Sequence, residues 1–471
     1  MSRFSDLCKY LIKENGTNVY QVSKETSLDL TTLQRMTTGK RLPSKEFVYK
    51  LCSYLRISDS ELSELIELYD IEQMGEIPYF SYKYIKNLFN HLYDLENNAV
   101  NTQYLENYSQ HFLDPLLSQR LSILAESALI SMISALSDSE NAYVYTNFPA
   151  NHSFAHYIEL SNIYQKQHIQ ILHLISLYQN NIDNLSNLAS LLTILPYTLT
   201  AETEYTPYFV YNHIRYAELQ NMMYPFYFIT NHQVLLLSAN FQEHIILSDQ
   251  DSVQKYTEQF KTAIRQANIL IHKTHMPQEA FKFYDDANPS LNTSFYGVEH
   301  QLCFTNLLTP EDFMKGLNLR LPNLDHFLPF IQSLFMQKKT FFYTKEGVDL
   351  FCETGKFYGQ AASLLPPLSK DSIIHLLDRY LHSPKTSNSF MLKEEIKFPQ
   401  HINVELNEKK QLHIMKIIGN SYFLLLTINE PSICETFYDF FQFLQKSDNV
   451  YSPEESKTYL MAKLDQLKST H

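Results

Sequence analysis

Apolar side chains recur at three- and four-residue spacing in five short stretches at the start of the chain, predicting helices over residues 4–13, 18–26, 30–37, 44–55 and 59–69. In the second stretch Val19 and Val22 point inward, Asn18 is placed to cap, and small Ser23 stands where a neighbouring helix must approach closely. Thr26, Ser27 and Leu28 make a turn. Asp29 then caps a third helix in which Leu33 and Met36 face the core and Thr31, Thr32, Gln34 and Arg35 stay outside. Gly39 stops it, Lys40 and Arg41 follow as cations, and Pro43 with Ser44 opens the fourth helix.

The rhythm changes after Gly75. Helices are predicted over residues 79–95 and 101–136, the latter interrupted at Pro115. Leu121, Leu124, Leu129, Ile130, Ile133 and Leu136 give it one apolar face, which serves equally as a seam between domains or copies or as part of its own domain's core. Strand-like runs follow at 143–148, 168–177, 208–212, 226–230, 234–238 and 245–248, with helical stretches at 156–167 and 185–195, and Asn231 with His232 suits a hairpin turn. Such alternation argues for an α/β or α+β region and against an all-helical repeat array. No glycine occurs between Gly75 and Gly297, so the turns there must use Asn, Asp, Ser and Pro.

One order of elements occurs twice. Residues 225–260 read as hairpin, strand, polar break and a helix with Val253, Tyr256 and Phe260; residues 412–444 read as a hairpin around Gly419 and Asn420, a strand over 422–428, a break at 429–432 and a helix with Ile433, Phe437, Phe440, Phe441 and Leu444. Two duplicated lobes and ordinary α/β repetition both fit this echo. The domain reading is a helical head over residues 1–70, a helical linker or dimerisation segment over 71–117, a first α/β lobe over 118–290 and a second α+β lobe over 291–471.

The head resembles the Cro/C1-type (XRE family) helix-turn-helix of phage repressors and many bacterial regulators, on Ser23, Leu33, Gly39, Lys40, Arg41, Pro43 and the run Leu55 to Ser58. Three positions depart from the pattern: Ser27 stands where Gly is usual, Leu30 where a polar base-reading residue is common, and Thr37 where an acidic one is common. The resemblance implies double-stranded operator DNA as partner, bound by a homodimer. It places Leu30, Thr31 and Arg35 at base edges and Thr32, Gln34, Lys40, Arg41 and Lys45 nearer phosphate. The tandem lobes resemble the phospholipase D-like fold found in the sensor domains of some regulators. Neither half carries an HxK signature, so that resemblance implies a catalytically empty site.

Charge supports a DNA-binding head. Residues 1–56 hold ten Lys or Arg against five Asp or Glu, a net of +5, which leaves −13 − 5 = −18 for the remainder. Residues 59–76 hold seven acidic side chains and no basic one, so the fifth helix is expected to face away from DNA. A hydrophobic content of 44% is ample for a core, no apolar run of membrane-spanning length appears, and the start lacks a signal-peptide core; a cytoplasmic protein with no membrane partner is expected.

Cys8, Cys52, Cys303, Cys352 and Cys434 are widely spaced and read as small buried hydrophobes. The pair His152 and His156, and the group His272, His275 and Glu279, lack a zinc-binding pattern, and Asp285 with Asp286 reads as a solvated turn. No glycine-rich phosphate cradle, GxSxG or HExxH is present. The expectation is a transcription regulator and not an enzyme, without cofactor or metal, whose C-terminal region dimerises or senses an unidentified small-molecule or peptide effector. The alternative is an enzyme or defence effector whose head regulates its own gene.

Overall fold

The computed structural model describes residues 2–97, 120–136, 141–151, 154, 169–179, 184–199, 204–211, 216–274, 294–304, 307, 338–357, 367–407, 411–418 and 422–469. The chain divides into two units, Met1–Lys83 and Tyr84–His471. The first contains five helices: α1 (Arg3–Glu14), α2 (Val19–Thr26), α3 (Leu30–Thr37), α4 (Lys45–Leu55) and α5 (Asp59–Met74). The side chains of Ser2, Asn18, Asp29, Ser44 and Ser58 each accept a hydrogen bond from a first-turn N–H, and Ser58 with Glu61 completes a reciprocal capping box. The fifth helix runs beyond the expected residue 69 because helix-tolerant residues continue to Gly75, whose φ of +89° ends it. Phe4, Cys8, Leu11, Val22, Leu33, Met36, Val48, Leu51, Leu65 and Tyr69 form one buried cluster, and the Tyr69 hydroxyl donates to Pro43 O at 2.8 Å. The boundary between the units falls within α6 (Glu76–Glu96).

The second unit holds two mixed sheets of seven strands each. The first uses β1 (Tyr143–Thr146), β2 (Gln170–Leu177), β3 (Glu204–Tyr211), β4 (Phe226–Thr230), β5 (Val234–Leu237), β6 (His244–Leu247) and β7 (Asn268–Ile269), in the order β6-β5-β4-β1-β2-β3-β7. The remaining strands are β8 (His272–Thr274), β9 (Ser294–Glu299), β10 (Lys338–Thr344), β11 (Ser389–Leu392), β12 (Ile402–Asn407), β13 (Leu412–Ile418) and β14 (Tyr422–Ile428), ordered β11-β10-β9-β12-β13-β14-β8. Read from its other end, the second sheet repeats the first: β14-β13-β12-β9-β10-β11 corresponds to β6-β5-β4-β1-β2-β3. In each, three parallel strands adjoin three antiparallel ones. The echo in the sequence thus belongs to two lobes of one topology. The segment from β7 to β8 stitches them, since β7 pairs with β3 of the first sheet and β8 with β14 of the second. β8 therefore joins the second sheet although it precedes the boundary expected at residue 290.

Helices α7 (Ile123–Ser134), α8 (Asn184–Thr198), α9 (Gln250–Ile264), α10 (Lys345–Thr354), α11 (Lys370–His382), α12 (Pro431–Leu444) and α13 (Pro453–Ser469) accompany the sheets. Of the expected apolar face, Leu129, Ile133 and Leu136 are buried, Leu121 and Ile130 are half-buried and Leu124 is exposed with its neighbour Ile123, so the face divides between its own unit's core and solvent. Polar contacts join the lobes: Asn187 Nδ2 donates to Ser432 Oγ at 3.0 Å, and the Tyr211 hydroxyl to Glu430 at 2.8 Å. Glu430 also caps α12, accepting from Ile433 N at 2.8 Å.

Among the described residues no helix is long and apolar enough to cross a membrane, and no group of three or more His, Cys, Asp or Glu could hold a metal ion. The readings on His152, His156, His275, Glu279, Asp285, Asp286, Gly419 and Asn420, the helix expected over 156–167, and residues 101–119 of the helix expected over 101–136, with its break at Pro115, lie outside the described residues; of that last helix, α7 begins only at Ile123, capped by Ser122. Cys8, Cys52 and Cys434 are buried, and burial pushes the Cys52 thiol up to about 11 and the Cys8 thiol higher still.

Candidate nucleic-acid interface

The hinge of the head is built from hydroxyls and one left-handed residue. Thr26 Oγ1 donates to Val22 O at 2.6 Å and accepts from Leu28 N at 3.3 Å, while Ser23 Oγ donates to Leu28 O at 2.7 Å. Small Ser23 thereby binds the entry to α3 to α2. Ser27 takes φ +61°, a conformation that costs a residue with a Cβ about 1–2 kcal/mol. Against that stands the larger entropy a glycine loses on folding. Ser27→Gly is therefore expected to stabilise the head by about 0.5–1 kcal/mol, read as a rise in the midpoint of its denaturant unfolding. Destabilisation by the substitution would show that the serine side chain is itself needed in the turn.

Asp29 starts α3 by accepting from Thr32 N at 2.6 Å, and its carboxyl is held below the usual range first by a side-chain hydrogen bond with Thr32 and next by that backbone bond. Thr32 is consequently buried over the cap rather than outside, as the helical pattern alone suggested. Its role is to fix the start of the helix. Thr31, Gln34 and Arg35 are exposed along the outer face, Leu30 is half-buried, and Leu33 and Met36 are fully enclosed. Thr37 is also buried, with Oγ1 donating to Leu33 O at 3.0 Å. No acidic side chain is accommodated at that place.

The helix ends in a Schellman motif. Lys40 N donates to Arg35 O at 2.8 Å and Gly39 N to Met36 O at 3.1 Å, with Gly39 at φ +69°. The sharp stop sets exposed Lys40 and Arg41 directly beyond the outer face of α3. Among the described residues no ion pair engages Arg35, Lys40 or Arg41. Lys45 differs: its Nζ lies 3.1 Å from Asp70 Oδ1 of α5, so it is half-buried and its charge is already matched within the head. Lys45, expected near phosphate, thus stands paired with Asp70 in the head. The exposed side chains brought together are Thr31, Gln34, Arg35, Lys40 and Arg41, with Leu30 at their margin.

A family model described as Helix-turn-helix matches residues 9–62. The N-terminal region is a helix-turn-helix of the Cro/C1 type, which supports a DNA-binding regulator. No curated protein matches the chain. Among the solved structures that align with it are polyphosphate kinase from Porphyromonas gingivalis, 9% identical, TM-score 0.22, over 72% of this chain and 54% of that one, and phosphatidylserine synthase from Haemophilus influenzae Rd KW20, 9% identical, TM-score 0.23, over 73% and 91%. The chain thus spans about half the length of the polyphosphate kinase, 54%. Likenesses this low assign no activity.

Proposed function

We propose that the protein is a cytoplasmic, sequence-specific transcription regulator that binds operator DNA as a homodimer and works by binding rather than by catalysis. One observation carries the reading: an exposed row of Thr31, Gln34 and Arg35 on α3, followed directly by exposed Lys40 and Arg41, on a Cro/C1-type head. Short hydrogen-bonding side chains suit base edges in the major groove, and cations at the end of the helix suit the adjoining phosphates. The two-lobed region assembles the dimer, senses a small-molecule or peptide signal, or both. A signal acts only if it binds two arrangements of the dimer with different affinity, since equal affinity shifts nothing.

Selection of genomic DNA fragments by the purified full-length protein, with and without cell extract, tests this. The expected product is an inverted repeat whose half-sites lie about one helical turn, roughly 34 Å, apart or a multiple of it. Addition of extract is expected to change the affinity for that repeat. A footprint by a monomer on one asymmetric half-site would overturn the dimeric reading.

A further inference from the structure

β6 is the outer strand of the first sheet, and among the described residues no strand pairs with its far side. Its hydrogen-bonding directions follow from the turn before it. Ser238 N donates to Glu243 O at 3.0 Å, and the register continues through Leu236↔Ile245 and Val234↔Leu247. Because hydrogen-bonded pairs alternate in an antiparallel ladder, residues 243, 245 and 247 turn their backbone groups toward β5. The N–H and C=O of His244 and Ile246 therefore face away from the sheet.

This edge is four residues long. It carries no Pro or Lys, and Ile245 and Ile246, on opposite faces, are 38% and 41% exposed. The helical layer on one face reaches β6 at Leu247, which packs partly buried against that layer's core, and leaves Ile245 exposed. On that face α9 covers Val234 and Leu236 of β5 with Val253 and Phe260. On the other, Ser122 N donates to Phe241 O at 3.1 Å, tying the start of α7 to the β5–β6 turn while Ile123 and Leu124 remain 81% and 73% exposed. The start of α7, with its two exposed apolar side chains, is thus tied to the turn that leads into β6.

We infer that two copies of the chain join here, β6 pairing antiparallel with β6 of a second copy; the inference rests on the dimeric reading above and names its seam. A strand edge is complementary to itself about a twofold axis perpendicular to the sheet. Such an axis keeps every side chain on its own face, so odd-numbered residues meet odd and even meet even. An axis at Ile246 sets Glu243 against Asp249 of the second copy at both ends, which like charge disfavours. An axis at His244 extends the pairing into Phe241, whose φ of +59° interrupts the strand. An axis at Ile245 meets neither difficulty. It sets Ile245 against its counterpart, His244 against Ile246 and Glu243 against Leu247, and it lets the outward groups of His244 and Ile246 bond each other reciprocally. Ile123 and Leu124 then flank the seam.

Sedimentation and cross-linking of the full-length protein, without DNA, test the proposal. The wild type is expected to sediment as a dimer at micromolar concentration. Ile246→Lys, which charges the edge, and Ile246→Pro, which removes an outward N–H while leaving the bonds to β5, are expected to sediment as monomers with thermal unfolding close to wild type. Ile245→Cys is expected to form a disulfide-linked dimer under mild oxidation, because directly opposed residues in a non-hydrogen-bonded pair have Cα atoms about 4.5 Å apart, within disulfide reach. Ser248→Cys, away from the axis, is expected not to cross-link. A monomeric wild type, edge variants that stay dimeric, or linkage at residue 248 but not 245 would each overturn the seam. If the edge variants stay dimeric and still protect an inverted repeat, the seam is elsewhere and the regulator reading stands; a monomer footprint on a half-site removes both. Should the edge variants fail to fold, the Ile245→Cys result decides alone.

Discussion

Replacing Arg35 by Ala is expected to weaken operator binding by about 1–3 kcal/mol and to relax base preference at one position of each half-site. Arg35 is the cation on the exposed face of α3, and among the described residues no ion pair holds its guanidinium. Its backbone carbonyl is engaged by Lys40 N at 2.8 Å, which pins the last turn from which the side chain projects. A planar fork on a rigid helix can address the O6 and N7 of guanine together, and the loss of both bonds is felt at that base alone. Lys40→Ala should behave differently. An exposed ammonium beyond the helix end meets phosphate, so all sequences are weakened alike and the slope of log affinity against log salt falls by about one. Binding measured for the wild type and both variants over a library of half-site substitutions, at several salt concentrations, separates the roles. Identical specificity profiles for the three proteins would show that Arg35 does not read a base.

Much of the head is legible in the sequence because its signals are local. Asn18, Asp29 and Ser44 each cap a helix that begins at the next residue, and Gly39 ends α3 as its left-handed freedom allows. What escapes is what depends on partners remote in sequence or on the third dimension. The ion pair of Lys45 with Asp70 spans 25 residues, and no spacing rule connects them. Thr32 lies on the outer side of a helical wheel, yet as the third residue of α3 it folds back over Asp29.

In the second unit, β4 and β14 match the predicted runs because their apolar residues are bounded by clear turn residues. β3 begins at Glu204, before the predicted residue 208, since Pro207 reads as a breaker. There it sits one strand from the edge, with its carbonyl accepting from Leu270 N at 2.9 Å. Strands as short as β7 and β8 have too few residues for a period. The repeated strand order is a property of pairing; the sequence echo reached only the hairpin and helix that close each lobe.

Acidification from pH 7.5 to pH 5 is expected to destabilise the second unit strongly, and histidines are the cause. His173 is fully buried on β2, with Nε2 facing Phe148 O at 2.6 Å and Nδ1 facing the Tyr205 hydroxyl at 2.8 Å. Both nitrogens are satisfied by a neutral ring that donates from Nε2 and accepts at Nδ1, and burial pushes its pKa down to about 3. Burial likewise lowers His413 to about 4 and His91 to about 4, and it lowers His272 and His300. In the unfolded chain each titrates near 6.5. Above that value neither state binds the proton and the full stability is present; as pH falls below it, the unfolded chain gains protons that the folded one refuses. Stability then drops by up to about 1.4 kcal/mol per pH unit for each histidine, so His173, His413 and His91 remove roughly 2 kcal/mol each by pH 5. Carboxylates held low by hydrogen bonds, such as Asp29 and Glu96, act with the same sign but only below about pH 4.5, which leaves the interval from 6.5 to 5 to the histidines. Denaturant unfolding of the full-length protein at half-unit pH steps measures the slope, and His173→Gln should flatten it by close to one proton while lowering stability at pH 7.5. A stability that stays level down to pH 5 would mean that these rings accept protons in place, and that the pocket between Phe148 and Tyr205 is open to water.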